Sequence, residues 1–305
     1  MIKYISRKVV AFAKRCRIIV PVIAAVMPLV AALVLVGSGL QTVALAQSGT
    51  DGTITRVTLE ARMTDTAEAL SDGVEWRIFG TKVGEDGKLP MLAQATGGVK
   101  AFDITPGDYY VHAAYGYAGA VRRITVATEP GTETFTLNAG GLQLNAIASN
   151  EARIPAPLLR FDVYSKEQDE RGERQLVARN IKPNEIVPIH TGTYHVVSQY
   201  GRLNAEVRAD FMVEAGKVTK AMIVHRAARM TFKLVKVAGS DAIANTAWSI
   251  LTESGDVITE STSAFPAFVL SEGTYTAIAK NADKIYSREF TVESGVNRDV
   301  EVLAE

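Results

Sequence analysis

Three stretches of this 305-residue chain carry one pattern: Ile104-Thr-Pro-Gly-Asp-Tyr-Tyr-Val-His-Ala113, Ile189-His-Thr-Gly-Thr-Tyr-His-Val-Val-Ser198 and Leu270-Ser-Glu-Gly-Thr-Tyr-Thr-Ala-Ile-Ala279. In each, an aliphatic residue is followed three positions later by glycine and two after that by tyrosine. The glycines, Gly107, Gly192 and Gly273, stand 85 and 81 residues apart. A second marker, Gly131, Gly216 and Gly295, follows at 24, 24 and 22 residues, and an aromatic, Trp76, Phe161 or Trp248, precedes at 31, 31 and 25. Near-constant offsets of three markers establish an internal repeat, so the chain must be read as three copies of one small unit.

Within a copy the hydrophobic period is two, which specifies strands. Val74, Trp76 and Ile78 share one face, as do Leu159, Phe161 and Val163. A charged turn follows each of these runs: Gly84-Glu-Asp-Gly87, Asp169-Glu-Arg-Gly172 and Glu253-Ser-Gly-Asp256. Turns of this composition return the chain as hairpins. Tyr109, Val111 and Ala113 then alternate inward, and strands ending Ile124-Thr-Val126, Phe211-Met-Val213 and Phe290-Thr-Val292 precede the second glycine. About six or seven short strands per copy, with no helical stretch, predict an all-β chain of three tandem antiparallel β-sandwiches of immunoglobulin-like or prealbumin-like type. The expected units are residues 53–138, 141–227 and 228–305, behind an N-terminal signal helix at 1–46. Linkers as short as Ala-Gly-Gly predict a semi-rigid rod, on the order of 80 to 100 Å long at ~3.4 Å per strand residue.

The first 46 residues have a composition of their own, with no Asp or Glu. Lys3, Arg7, Lys8, Lys14, Arg15 and Arg17 form a basic region, residues 18–40 an apolar run, and Ala44-Leu45-Ala46 a small-x-small site. This is the pattern of a secretory signal cleaved before Gln47. The apolar run is also long enough for an uncleaved anchor in an inner membrane. In both readings the repeats lie outside the cytoplasm, periplasmic or secreted in a Gram-negative bacterium. Without the segment, 27 Lys and Arg face 33 Asp and Glu, and an acidic chain of this kind argues against a nucleic-acid partner. The sole cysteine, Cys16, lies in the signal segment. An exported chain without disulfides fits a bacterial periplasm better than a eukaryotic secreted module.

The Ile-x-Pro-Gly-x-Tyr-x-Val pattern and its two variants resemble the penultimate strand of bacterial Ig-like, carboxypeptidase-regulatory-like and PEGA-type sandwich repeats. The resemblance covers nearly all of residues 53–305. It implies adhesive, spacing or protein-binding roles and no cofactor. The chain departs from transthyretin relatives that hydrolyse hydroxyisourate, which end in Tyr-Arg-Gly-Ser, for here the last residues are Val300-Glu-Val-Leu-Ala-Glu305.

Little in the sequence carries chemistry. Tyr109, Tyr194 and Tyr275 occupy the place of a tyrosine corner, and Trp76, Phe161 and Trp248 that of the packing aromatic, so both sets read as structural. His190 and His195 differ by five and would face opposite ways on one strand, and His112 and His225 stand apart, so neither a metal site nor a catalytic residue is expected. The mixed run Lys166-Glu-Gln-Asp-Glu-Arg-Gly-Glu-Arg174 reads as a solvated hairpin tip. One candidate interaction surface stands out. The loop eight residues past the marker glycine holds Tyr115-Gly-Tyr117 in copy one, near Arg122 and Arg123, and Tyr200-Gly-Arg202 in copy two; Tyr and Arg are interface anchors. The competing reading is a tight turn whose ring lies on the neighbouring repeat. The functional expectation is a non-enzymatic envelope protein that spaces or docks another envelope protein. Two alternatives stay open: a carbohydrate-binding module using Tyr115, Tyr117 and Trp76 on a glycan, and a hydrolase with a site between repeats.

Overall fold

A computed structural model describes residues 53–305. The expected signal helix, its cleavage site and the apolar run at 18–40 lie outside the described residues. Alternation becomes strand burial throughout: Val74, Trp76 and Ile78 are wholly buried, whereas Glu75 and Arg77 point outward. The first copy comprises β1 (Thr55–Arg62), β2 (Val74–Gly80), β3 (Met91–Gly97), β4 (Lys100–Ile104), β5 (Gly107–Tyr115), β6 (Ala118–Val126) and β7 (Gly131–Thr136). These pair into a three-stranded sheet, β4-β1-β7, and a four-stranded sheet, β3-β2-β5-β6. One core of Leu59, Trp76, Ile78, Val111, Phe135 and neighbours lies between the sheets.

The second copy repeats this order with β8 (Ala139–Ala148), β9 (Leu159–Gln168), β10 (Arg174–Ile181), β11 (Ile186–His190), β12 (Gly192–Tyr200), β13 (Glu206–Val213) and β14 (Val218–His225). The third uses β15 (Ala227–Val235), β16 (Thr246–Thr252), β17 (Val257–Ser261), β18 (Ala267–Ser271), β19 (Gly273–Asn281), β20 (Lys284–Val292) and β21 (Arg298–Leu303). Their sheets are β11-β8-β14 with β10-β9-β12-β13, and β18-β15-β21 with β17-β16-β19-β20. The protein is an all-β array of three tandem sandwiches. The charged turns close hairpins by backbone bonds, for example Gly87 N–H to the Gly84 carbonyl and Gly172 N–H to the Asp169 carbonyl.

Three details depart from the sequence reading. Each sandwich contains one parallel pair, β1 with β7, β8 with β14 and β15 with β21. The last strand reaches its partner by crossing from the four-stranded sheet to the three-stranded one, and a crossover of that kind permits parallel pairing. Gly216 and Gly295 adopt left-handed turns at φ 68° and 75°, whereas Gly131 opens strand β7 without one. The first copy turns through Thr128-Glu-Pro130 instead, so the second marker is a sequence likeness more than a shared geometry. Finally, His190 closes β11 and His195 lies in β12, so they sit in different sheets and not on opposite faces of one strand.

Candidate functional site

The repeated tyrosines lock the end of each core. Tyr109, Tyr194 and Tyr275 donate their hydroxyls to the carbonyls of Thr105, His190 and Ser271, each four residues back, at 2.8, 2.9 and 2.9 Å. The residue two before each tyrosine must turn sharply to allow this. Gly107, Gly192 and Gly273 do so at φ 154°, 146° and 153°, a conformation in which a Cβ is strained. Trp76 packs edge-on to Phe135 at 5.5 Å and donates Nε1–H to the Gly98 carbonyl at 2.8 Å. Trp248 is equally buried against Phe232, but its Nε1 has no hydrogen-bond partner.

The most elaborate polar geometry lies where repeats meet, and the candidate loops form it. Between copies one and two, the β5–β6 turn rests on β11. A Cβ on Gly116 would stand 2.8 Å from the Pro188 carbonyl, Tyr117 N–H donates to that carbonyl at 2.8 Å, and Gly119 N–H donates to His190 Nε2 at 3.1 Å. With Nε2 accepting, His190 Nδ1 carries the proton and donates to the Leu137 carbonyl at 3.1 Å. Thus the imidazole bridges the hairpin of one repeat and the last strand's exit with the acceptor strand of the next.

Between copies two and three the same joint recurs with other side chains. A Cβ on Gly201 would meet Val269 of β18 at 2.8 Å. Asn204 donates Nδ2–H to the Tyr275 hydroxyl at 2.9 Å and accepts from Ser271 N–H at 3.1 Å. The backbone bonds repeat as well: Thr191 N–H to Asn138 in the first joint and Glu272 N–H to Arg226 in the second, while Gly216 N–H to Ala139 and Gly295 N–H to Ala227 tie the first residue of each downstream sandwich to that sandwich's own last turn. Tyr200 is buried here, its ring 5.9 Å from that of His225, and Ala227 and Val269 of copy three join the core of copy two.

The six residues of the candidate surface therefore divide. Tyr115 is half-buried on its own core with its ring against Gly73, and Tyr200 is buried in the second joint. Arg122 pairs with Glu133 and lies 4.6 Å from the Phe135 ring centroid, while Arg123 pairs with Asp108. Tyr117 and Arg202 remain exposed at the joints.

The four histidines do not converge. His112 lies beside Arg77 on β5, and burial followed by the Arg77 charge lowers its pKa. His195 faces Asp210 at 2.7 Å above a shallow polar cleft of about 440 Å³ that includes Tyr164, Arg174 and Arg208; its hydrogen bond holds the Asp210 carboxyl below its usual range. His225 Nε2 is 2.7 Å from Ser198 Oγ, a pairing no spacing rule marked. Both residues are wholly buried, and His225 Nδ1 has no partner, so this pair lacks the third group and the access that a hydrolytic dyad requires. Among the described residues, no three His, Cys, Asp or Glu side chains gather to hold a metal, and no helix is long and apolar enough to cross a membrane.

A family model described as the Rhizobiales growth-associated tandem repeat domain matches residues 229–304, the span of the third sandwich. No curated protein matches the chain. Among solved structures, the chain is similar to the TIE protein of Bacillus anthracis at 16% identity and a TM-score of 0.24, with 82% of this chain and 50% of that one covered. It thus spans half the length of that protein. A streptococcal ancillary pilin gives 12% identity and a TM-score of 0.33, covering 83% of this chain and 99% of the pilin. The minor pilin of Streptococcus agalactiae gives 13% and 0.31, with 56% and 95% covered. Scores this low superpose neither whole arrays nor sites, and the architecture above rests on this chain's own strand registers.

Proposed function

We propose that the chain is a non-enzymatic structural module of the bacterial envelope, a semi-rigid row of sandwiches that spaces or docks another envelope protein. The observation that carries this reading is the pair of inter-repeat joints. Polar side chains of types that can serve catalysis, His190 and Asn204 among them, are consumed in fastening one repeat to the next. A family model for growth-associated tandem repeats supports the reading, as do the basic and apolar N-terminal residues typical of export. The glycan alternative is weakened because Trp76, one of its three stacking platforms, is 0% exposed.

A photo-crosslinking amino acid at Tyr117, with Arg202 as a second position, tests the proposal in growing cells. One envelope protein linked reproducibly at these positions is the expected result. Recovery of glycan alone, or of no linked species at either position, would contradict it. The same mass spectrum reads the mature N-terminus, expected at Gln47.

A further inference from the structure

Each joint sets one kind of surface on another: the turn between the fifth and sixth strands of a sandwich lies on the fourth strand of the next. Pro188 of β11 and Val269 of β18, each four residues before its marker glycine, receive the turns that hold Gly116 and Gly201. Among the described residues, each surface also occurs once without a mate. The unmated edge is β4 of the first sandwich, where Asp103 holds the place of Pro188 and Val269. The unmated turn belongs to the third sandwich and is paired at its base by Asn281 and Lys284, with Ala282 in the place of Gly116 and Gly201.

Both differ from their mated counterparts in the residues that make contact. Gly116 and Gly201, at φ 59° and 81°, leave no room for a Cβ, which would fall 2.8 Å from Pro188 or Val269. Ala282 keeps the left-handed conformation, at φ 52°, yet carries the methyl group. Glycine would relieve that strain. The other non-glycine residues at positive φ are asparagines and one glutamate, so Ala282 alone has no side chain able to bond locally. Asp283 then takes the place of Tyr117, and the exposed Lys284 that of the buried Ala118.

On the unmated edge, Arg56 donates Nε–H and Nη2–H to the two Asp103 carboxylate oxygens at 2.9 and 3.1 Å, and both side chains are more than half exposed. A turn laid over this pair takes two charges out of water. The third sandwich's own turn would also set Asp283 beside Asp103, acid against acid. One residue before the partners of Ile104, Ile189 and Leu270, the joints bury Ala139 and Ala227, whereas Ile54 is 67% exposed.

We propose that the unmated turn and the unmated edge are built to refuse one another, so that copies of this chain do not add end to end. The joint that fastens the sandwiches internally is a heterologous contact, and a heterologous contact left open at both ends propagates into rings or filaments. Ala282 and the Arg56–Asp103 pair stop that propagation.

The first test compares the full chain, carrying Cys16→Ser and purified from the envelope in mild detergent, with the same chain given the residues of the first joint: Asp103→Pro on the edge, and Ala282→Gly, Asp283→Tyr and Lys284→Ala on the turn. Sedimentation equilibrium extends to roughly 1 mM, the effective concentration that a short linker gives an internal joint. The grafted chain should associate into species of growing size, with a dissociation constant at least tenfold below that of the unaltered chain. Equal mass curves for the two, or an unaltered chain whose mass climbs without limit, would overturn the proposal. The second test moves an end residue inside. With nitroxide labels at the exposed Thr132 and Lys220, Pro188→Asp should widen the distance distribution across the first joint while circular dichroism shows the strands intact. An unchanged width would overturn the proposal as well.

Discussion

Replacement of Trp76 by alanine should unfold the first sandwich at denaturant concentrations where the third remains intact. The indole is 0% exposed, lies edge-on to Phe135 at 5.5 Å and satisfies the Gly98 carbonyl at 2.8 Å. Deleting a buried ring of this size costs about 3–5 kcal/mol through lost burial and the cavity left behind. A small domain has about 5–15 kcal/mol in total, so the variant sits near the limit of folding. Trp248 is then the only tryptophan and reports on the third sandwich by fluorescence, while circular dichroism follows all strands. An early loss of part of the β signal, with the Trp248 transition close to its original place, is the predicted result. Phenylalanine separates packing from hydrogen bonding. Trp76→Phe strands a buried carbonyl, whereas Trp248→Phe removes a donor that has no partner, so the second should be milder by about 1 kcal/mol or more.

Acidification should weaken the second sandwich and its joint with the third between pH 6.5 and 4. Burial pulls the His225 pKa down from 6.5 to about 4. The side chain is 1% exposed, packed on Tyr200 and Ser198, and an imidazolium there would gain only one hydrogen bond from its surroundings. The unfolded chain binds a proton as pH falls through 6.5 and the folded chain does not until about 4. Stability is therefore full above 6.5 and is lost as pH falls, by about 3 kcal/mol once both states are protonated. His112, whose pKa is also lowered, acts in the same direction in the first sandwich. Carboxylates held low by their partners, such as Asp210 and Glu60, add to the loss at the acid end of this window and below it. His225→Gln should flatten the loss in the second sandwich while leaving the part due to His112. An unchanged pH profile in that variant would show that His225 is not the source.

Much of this fold was legible because its signals are local. The glycine before each tyrosine marks a backbone conformation, the tyrosine answers a carbonyl four residues back, and Val74-Glu-Trp-Arg-Ile78 alternates as a half-buried strand must. Pairing between distant strands leaves no such trace. That β7 runs parallel to β1 depends on a crossing between sheets, which alternation within β7 does not encode. The Ser198–His225 pair was half legible: Tyr194, Val196 and Ser198 share the inward face of β12, and Ala221, Ile223 and His225 that of β14. Alternation placed both side chains inward without saying that they meet. The loop glycines were harder still. Tyr115-Gly-Tyr117 and Tyr200-Gly-Arg202 have the composition of an external recognition loop, and only the approach of Pro188 and Val269 distinguishes a joint from a free surface.

The central claim is that these joints make the three sandwiches one semi-rigid unit, and a distance distribution tests it directly. Nitroxide labels at Thr132 in the first sandwich and Ser287 in the third, both exposed, can be placed in the full Cys16→Ser chain. Dilution with unlabelled protein removes distances between copies, and pulsed dipolar spectroscopy then reads the separation. A single narrow distribution is predicted, broadened by Gly201→Ala, whose methyl group would fall 2.8 Å from Val269 Cβ at a residue held at φ 81°. A broad distribution in the unaltered chain, insensitive to Gly201→Ala, would contradict the account and leave three sandwiches joined only by their linkers.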